Sequence, residues 1–255
     1  MSSIAIVGYG NVGKNLHGEL GWNVAAVIDP FVEGCLDRGE GRYDLAFVAV
    51  DTPLVDGRRL DTSAVDAALD EVDADVICIK STVPVGYTRQ VAERFEAEGR
   101  DCEVCFSPEY YGTTQHANDF EFDFTVLGGS DPACHKAIQA LQDAYYARHR
   151  FITVGYEEAE VAKVMENAWL ATKVDFCIGF KETCDRLGIR YERVRECFVS
   201  DPRVNPAHTF VYDAHPYWES HCLDKDVPYA AYGLENHQLM GVIERNEKRK
   251  GIHKQ

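Results

Sequence analysis

The sequence predicts an α/β fold: a doubly wound, mostly parallel sheet over residues 1–155, followed by a smaller all-helical domain over 156–255 with a long central helix. Three observations carry this. Short runs rich in Val, Ile and Phe alternate with stretches of helical spacing through the first 155 residues. A glycine-rich turn follows the first run directly. From Glu157 onward apolar residues keep a helical spacing for about 30 residues without interruption.

Seven runs read as strands: IAIVG, VAAVID, LAFVAV, DVICIK, CEVCFS, FTVLGG and FITVG, the last ending at Gly155. Strands alternating with helices cover both faces of a sheet, which makes it mostly parallel. The long helix runs from Glu157 to about 187, with acids in its first turn and Gly188 at its stop. A second helix covers Glu192 to Val199. A loop rich in Pro, His and aromatic residues runs from Asp201 to His221, within a candidate catalytic stretch over 201–226, and a terminal helix starts near Asp226. No internal repeat or low-complexity tract interrupts the 255 residues.

Composition limits the function. A hydrophobic content of 45% fills a core, and no apolar run approaches the roughly 20 residues that cross a bilayer. The amino end, MSSIAIVGYG, has neither a basic region nor a small-residue cleavage site, so the expected location is cytoplasmic. A net charge of −16 argues against a nucleic-acid or membrane partner, because a phosphate-backbone binder needs clustered Lys and Arg. The basic tail Glu247 to Lys254 reads as a solvated helix end. Nine cysteines, an odd number without repeated spacing, suit a reducing compartment.

The turn GYGNVG places Gly8, Tyr9, Gly10, Asn11, Val12 and Gly13 between a strand and a helix. The first glycine permits the tight turn, the second lets the backbone approach a pyrophosphate, and the third lets helix pack on strand. VAAVID then ends in Asp29, at the distance where an acid accepts hydrogen bonds from the adenosine ribose. A 2′-phosphate there would meet a like charge, so the expected cofactor is NAD and the first domain is Rossmann-like.

Four further segments stand in order along the chain: AVDTP with Thr52 and Pro53, KSTVPVGYT with Thr82, SPEYYG with Glu109, and AEVAKVMENAWLATKVDF with Lys163 and Asn167. A fifth, CLDKD, holds Cys222, Lys225 and Asp226. Read by themselves, these residues leave alternatives open. Cys222 sits among charges and suits a thiolate nucleophile, which Lys225 would favour, or a packed cysteine. Lys163 and Asn167, four apart on one helix face, can both point at one oxygen and stabilise an oxyanion, or belong to a solvated stripe in which Lys163 pairs with Glu160 or Glu166. Asp226 can handle a proton or cap a helix. Glu109 can be a surface acid, and Thr82 a simple strand-end hydroxyl.

Taken together and in this order, the segments resemble the UDP-glucose and GDP-mannose dehydrogenase family over nearly the whole chain. The resemblance implies a four-electron, two-NAD oxidation of a primary alcohol of a sugar or nucleotide sugar to a carboxylate, with Cys222 as the nucleophile. It further implies that Thr52, Pro53, Thr82 and Lys225 join the cofactor site, and that Glu109 assists hydrolysis of the thioester. Lys163, Asn167 and Glu109 would contact substrate, as would Arg203 in DPRVN, which matches an arginine that crosses a subunit boundary in the family. A homodimer built on the long helix follows.

The sequence also departs from the family. It ends at Gln255, where family members continue into a second nucleotide-binding domain, and only Phe31 to Asp44 separates the second strand from the third. HPYWESH replaces a glycine-rich stretch before the cysteine, and Thr113 stands where a second glutamate is usual. These departures fall on substrate recognition, so a substrate smaller than a nucleotide sugar, or one presented by another protein, is expected. Three rivals remain: a non-catalytic nucleotide-binding scaffold; a metal site from His208, His215, His221 and Cys222, whose spacings match no usual ligand pattern; and a two-electron alcohol or hydroxyacid dehydrogenase in which Lys163 and Asn167 suffice.

Overall fold

Valine, isoleucine and alanine alternate across the first strand so that both of its faces are apolar, and the fold is built outward from it. The computed structural model describes residues 2–32, 41–110, 123–142, 144 and 149–253. Within these, seven strands form one sheet: β1 (Ile4–Val7), β2 (Val24–Ile28), β3 (Tyr43–Val48), β6 (Ala74–Ile79), β7 (Glu103–Phe106), β8 (Phe124–Gly129) and β9 (Arg150–Val154). Their order is β2-β1-β3-β6-β7-β8-β9. Every pairing is parallel except β7 with β8. The order reverses between β1 and β3, and ligands of such sheets bind beyond the carboxyl ends of the strands at that reversal.

Four helices cover the sheet: α1 (Asn11–Leu20), α2 (Ser63–Glu71), α3 (Tyr87–Ala97) and α4 (Asp131–Leu141). Ala5 and Val7 of β1 join one apolar layer with Val65 and Leu69 of α2 and Val91 and Phe95 of α3. Ile4 and Ile6 join the other with Leu16 and Leu20 of α1 and Ala137 and Leu141 of α4. Each Val, Leu, Ile or Phe side chain among these contributes about 1.5–3 kcal/mol on burial, so both layers hold the β1–α1 turn in place.

The chain divides into two compact units, Met1–Pro53 with Leu60–Lys163, and Leu54–Arg59 with Val164–Gln255. The excursion at Leu54–Arg59 belongs to a two-stranded ribbon, β4 (Leu54–Val55) with β5 (Arg59–Leu60). Asp56 and Gly57 both have positive φ, 53° and 68°, as a type I′ hairpin turn requires.

Helix α5 (Tyr156–Leu187) is continuous for 32 residues. Gly188 ends it at φ +67°, and Ile189 N–H reaches back to the Cys184 carbonyl at 3.0 Å. Helix α6 (Tyr191–Val199) follows. The terminal region starts at Leu223, three residues before the expected Asp226, and is broken: α7 (Leu223–Pro228), a wide turn over Tyr229–Gly233, then α8 (Gln238–His253). The physical reason is local. Pro228 lacks an N–H to continue the ladder, Leu234 N–H bonds five residues back to Tyr229 at 3.0 Å, and Glu235 takes φ +57°.

Within the second unit α5 and α8 are joined by buried polar groups. Asp175 accepts from Arg245 and Arg249, each at 2.6 Å, and fully buried Asn246 bonds both the N–H and the carbonyl of Trp218 at 2.9 Å. Trp218, Ala171, Val227 and Val242 pack beside them. This core fixes the segment that carries Cys222 and Asp226.

Candidate active site

In the first unit the glycine turn has the shape its sequence requires. Gly8 takes φ +94°, and a Cβ there would lie 2.5 Å from the Ala49 carbonyl oxygen at the end of β3. A Cβ on Gly13 would lie 2.0 Å from the Gly8 oxygen, so α1 packs directly on the turn. Gly10 faces open space, with nothing within 4 Å of its would-be Cβ. It precedes Asn11 and Val12 at a helix start that has no side-chain cap and no acid in its first turn. Uncapped N–H groups behind an open glycine are the donors a pyrophosphate needs, so these residues fit a dinucleotide. Asp29 Oδ2 accepts the Tyr9 N–H at 2.7 Å, tying the end of β2 to the turn.

Thr52 is buried and donates its hydroxyl to the Thr82 carbonyl at 2.8 Å. This anchors the loop after β6 to the loop after β3, while Pro53 next to it is exposed. Glu160 of α5 holds the other end of the same loop. Its Oε2 accepts the Gly86 N–H at 2.5 Å and its Oε1 the Thr88 N–H at 2.9 Å. Burial raises its pKa against the lowering effect of these bonds. Glu160 is therefore spent on α3, and the pairing with Lys163 left open by the sequence is not the one the fold makes.

Lys163 is buried and donates instead to the backbone carbonyl of Glu109, with its ammonium 5.6 Å from the centre of the Tyr110 ring. The Glu109 side chain faces a second lysine: Lys80 Nζ lies 3.3 Å from Oε2. Lys80 also reaches Ser107 Oγ at 3.3 Å and the Pro108 carbonyl at 3.4 Å. Burial is the largest single influence on Lys80 and lowers its pKa, but the groups that favour its charge, Glu109 first among them, together turn the net shift upward. The sequence alone assigned no role to Lys80 and offered Glu160 only as a possible partner of Lys163. The available signal for Lys80 was a lysine directly after the apolar residues Val76 to Ile79 of DVICIK.

In the second unit Asp226 is fully buried. Its Oδ2 accepts from Asn167 Nδ2 at 2.5 Å and its Oδ1 from Lys225 Nζ at 2.8 Å. Cys222, exposed, is the residue immediately before α7, and its carbonyl accepts the Asp226 N–H at 2.9 Å, one helical turn on. The fold thus joins Asn167, Lys225 and Asp226 in one buried cluster, with the exposed Cys222 one helical turn before Asp226. Arg203 stands apart, exposed and paired with Asp201 at 2.6 Å. His215 contacts the Tyr217 hydroxyl at 3.2 Å, and among the described residues no group of three or more His, Cys, Asp or Glu side chains is placed to hold a metal ion. Thr113 lies outside the described residues.

Residues 36–147 match the NAD binding domain of the UDP-glucose/GDP-mannose dehydrogenase family, and residues 157–247 match its central domain. A UDP-glucose 6-dehydrogenase of Pseudomonas aeruginosa is 30% identical over 85% of this chain and 51% of its own length. One of Streptococcus pneumoniae is 26% identical over 86% of this chain and 58% of its own. The chain thus spans about half the length of these curated relatives. A UDP-glucose dehydrogenase structure from Pyrobaculum islandicum shares the fold with a TM-score of 0.78 at 23% identity, over 97% of this chain and 68% of that one. A Mycobacterium tuberculosis 3-hydroxyisobutyrate dehydrogenase does so with a TM-score of 0.69 at 18% identity, over 99% and 95%. With both domain matches in order along the chain, and with a glycine turn and Asp29 that fit the cofactor, the protein carries an NAD-binding domain and belongs to the UDP-glucose/GDP-mannose dehydrogenase family.

Proposed function

We propose that this chain oxidises the primary alcohol of a sugar or nucleotide-sugar-like substrate to a carboxylate through a thioester on Cys222. The observation that carries the reading is the buried Asn167–Asp226–Lys225 cluster one helical turn from an exposed cysteine. Burying a carboxylate is costly unless it is paired and hydrogen-bonded, and here the pairing is arranged around a nucleophile.

NAD, when bound, accepts a hydride in each of two successive oxidations. The alcohol loses a proton and a hydride to become an aldehyde. The Cys222 thiolate adds to the aldehyde carbon, and loss of a second hydride from that carbon leaves a thioester. Water then adds, the carbon–sulfur bond breaks, and carboxylate and thiol are released. A thiolate both attacks and leaves readily, which is why cysteine suits this sequence. Its position before α7 also places it where the helix dipole favours an anion.

Lys163 and Asn167, one turn apart on α5, are assigned the substrate oxygen, whose developing charge their donors would stabilise. Asp226 handles the proton, with Lys225 holding its carboxylate; Lys225 is also assigned to the cofactor. Glu109 and Thr82 are assigned the hydrolytic water. Gly8, Tyr9, Gly10, Asn11, Val12 and Gly13 are assigned the pyrophosphate, Asp29 the ribose, and Thr52 and Pro53 the adjoining wall. Arg203 reaches substrate from a second copy in a homodimer. The exposed apolar face of α5 and α6 supports such a dimer.

The test is to incubate the protein and its Cys222→Ser variant with NAD and UDP-glucose, GDP-mannose and their N-acetyl analogues, counting NADH per product by mass spectrometry. Two NADH per acid in wild type, with the serine variant stalled as an ester or aldehyde, is the expected result. One NADH per turnover, with full activity in Cys222→Ser, would establish a two-electron dehydrogenase in which Lys163 and Asn167 suffice.

A further inference from the structure

In the first unit the side chains of Phe47, Phe95 and Phe106 are buried. Phe31 is the opposite: 94% exposed, with no ring contact among the described residues. Its neighbour in exposure, Trp22 at 90%, lies before β2, at the amino end of the strands. Phe31 lies after β2, at the carboxyl end, where a dinucleotide crosses such a sheet.

Its backbone is held. Asp29 Oδ1 accepts the Phe31 N–H at 2.9 Å while Oδ2 accepts the Tyr9 N–H at 2.7 Å, so one carboxylate ties the phenylalanine to the glycine turn. Pro30 between them fixes its own φ and restricts Asp29 to extended conformations. An exposed aromatic on a restrained backbone loses little further entropy when a flat ligand covers it.

We infer that Phe31 is the stacking platform for the adenine ring of the bound dinucleotide, two residues beyond the acid assigned to its ribose. This rests on the NAD reading of the glycine turn. Both faces of a purine are apolar and only its edges are polar, so it covers a phenyl ring without stranding hydrogen-bonding groups. Base-on-aromatic stacking is worth about 1–3 kcal/mol by alanine substitution, and the lower part of that range, about 1.4 kcal/mol, corresponds to a loss of about tenfold in affinity.

The experiment is calorimetric titration of the full chain with ADP-ribose and with nicotinamide mononucleotide, which lacks the adenine. Phe31→Ala is expected to weaken ADP-ribose about tenfold, to leave the mononucleotide unchanged, and to leave Tm unchanged because the side chain is solvated. Phe31→Tyr should retain wild-type affinity, and Phe31→Trp should show emission quenched by ADP-ribose beyond the wild-type change. Equal ADP-ribose affinity in wild type and Phe31→Ala, or no added quenching in Phe31→Trp, overturns the stacking role and leaves the cofactor reading intact. Failure of wild type to bind ADP-ribose or NAD overturns both.

Discussion

At Asp226 the protein places a carboxylate out of solvent, where it accepts from the Lys225 ammonium and the Asn167 amide. Removing such a partner costs more than the pair itself contributes, because the remaining charge stays buried. Asp226→Ala would remove the carboxylate that Lys225 and Asn167 both bond and is expected to destabilise by about 3–5 kcal/mol, measured as a lowered urea midpoint. Asp226→Asn keeps the volume and an acceptor for Asn167, so it should cost about 1–3 kcal/mol while reducing turnover by about a hundredfold or more. Equal stability losses in the two variants would show that the lost charge, common to both, carries the effect and that the volume removed in Asp226→Ala adds nothing. Cys222, Asn167 and Asp226 were legible in the sequence because their types and order carry chemistry. Lys80 and Glu160 were not, because their partners lie 29 and 74 residues away and no local spacing announces those contacts.

At the scale of elements, α3 and α5 are joined within the first unit by Glu160 at the start of α3 and by Arg89 with Glu157 at 2.6 Å. The hydrogen bond from Arg89 holds the Glu157 carboxyl well below its ordinary range, at about 2. For an acid whose folded pKa is depressed, the stabilisation is fully present above the unfolded value and is lost as pH falls through the folded one. The window here runs from about pH 4.5 down to about pH 2. Both side chains are more than a third exposed, so the contribution is small and screened by salt. Glu157→Gln is therefore expected to lower the urea midpoint slightly at pH 6, the gap closing as pH falls from about 4.5 toward about 2 and shrinking further in 0.5 M salt. A gap independent of pH would exclude the ion pair as its source. The length of α5 was readable from its spacing and from Gly188. The Asp56–Gly57 hairpin carried its usual turn signal, but strands of two residues show no periodicity. The break after α7 depends on Pro228 and on a strained Glu235, and the helical pattern on either side masks both.

At the scale of the whole molecule, the excursion of Leu54–Arg59 into the second unit was invisible in the sequence, since it depends on packing such as the approach of the Arg58 carbonyl to Gly233, where a Cβ would lie 2.6 Å away. The second unit also exposes what a lone chain would be expected to bury. Met165, Trp169, Phe176 and Phe180 lie along α5 at spacings of four, seven and four, with Phe198 of α6 ringed against Phe176 at 6.3 Å. Fifteen residues of helix separate Met165 from Phe180, about 22 Å of apolar face, which is the scale of a protein–protein contact and not of scattered surface residues. Covering it with a second copy opposes a net charge of −16 on each chain. The dimer is therefore expected to tighten as salt screens that repulsion, while its apolar contact is left intact. Light scattering should give twice 28.6 kDa at micromolar concentration, with the dissociation constant falling between 0.05 and 0.5 M salt. Trp169→Glu with Phe176→Glu should yield a monomer that still binds NAD, because neither residue lies in the first unit. A wild-type monomer at every salt concentration would exclude the dimer and assign this face to another partner.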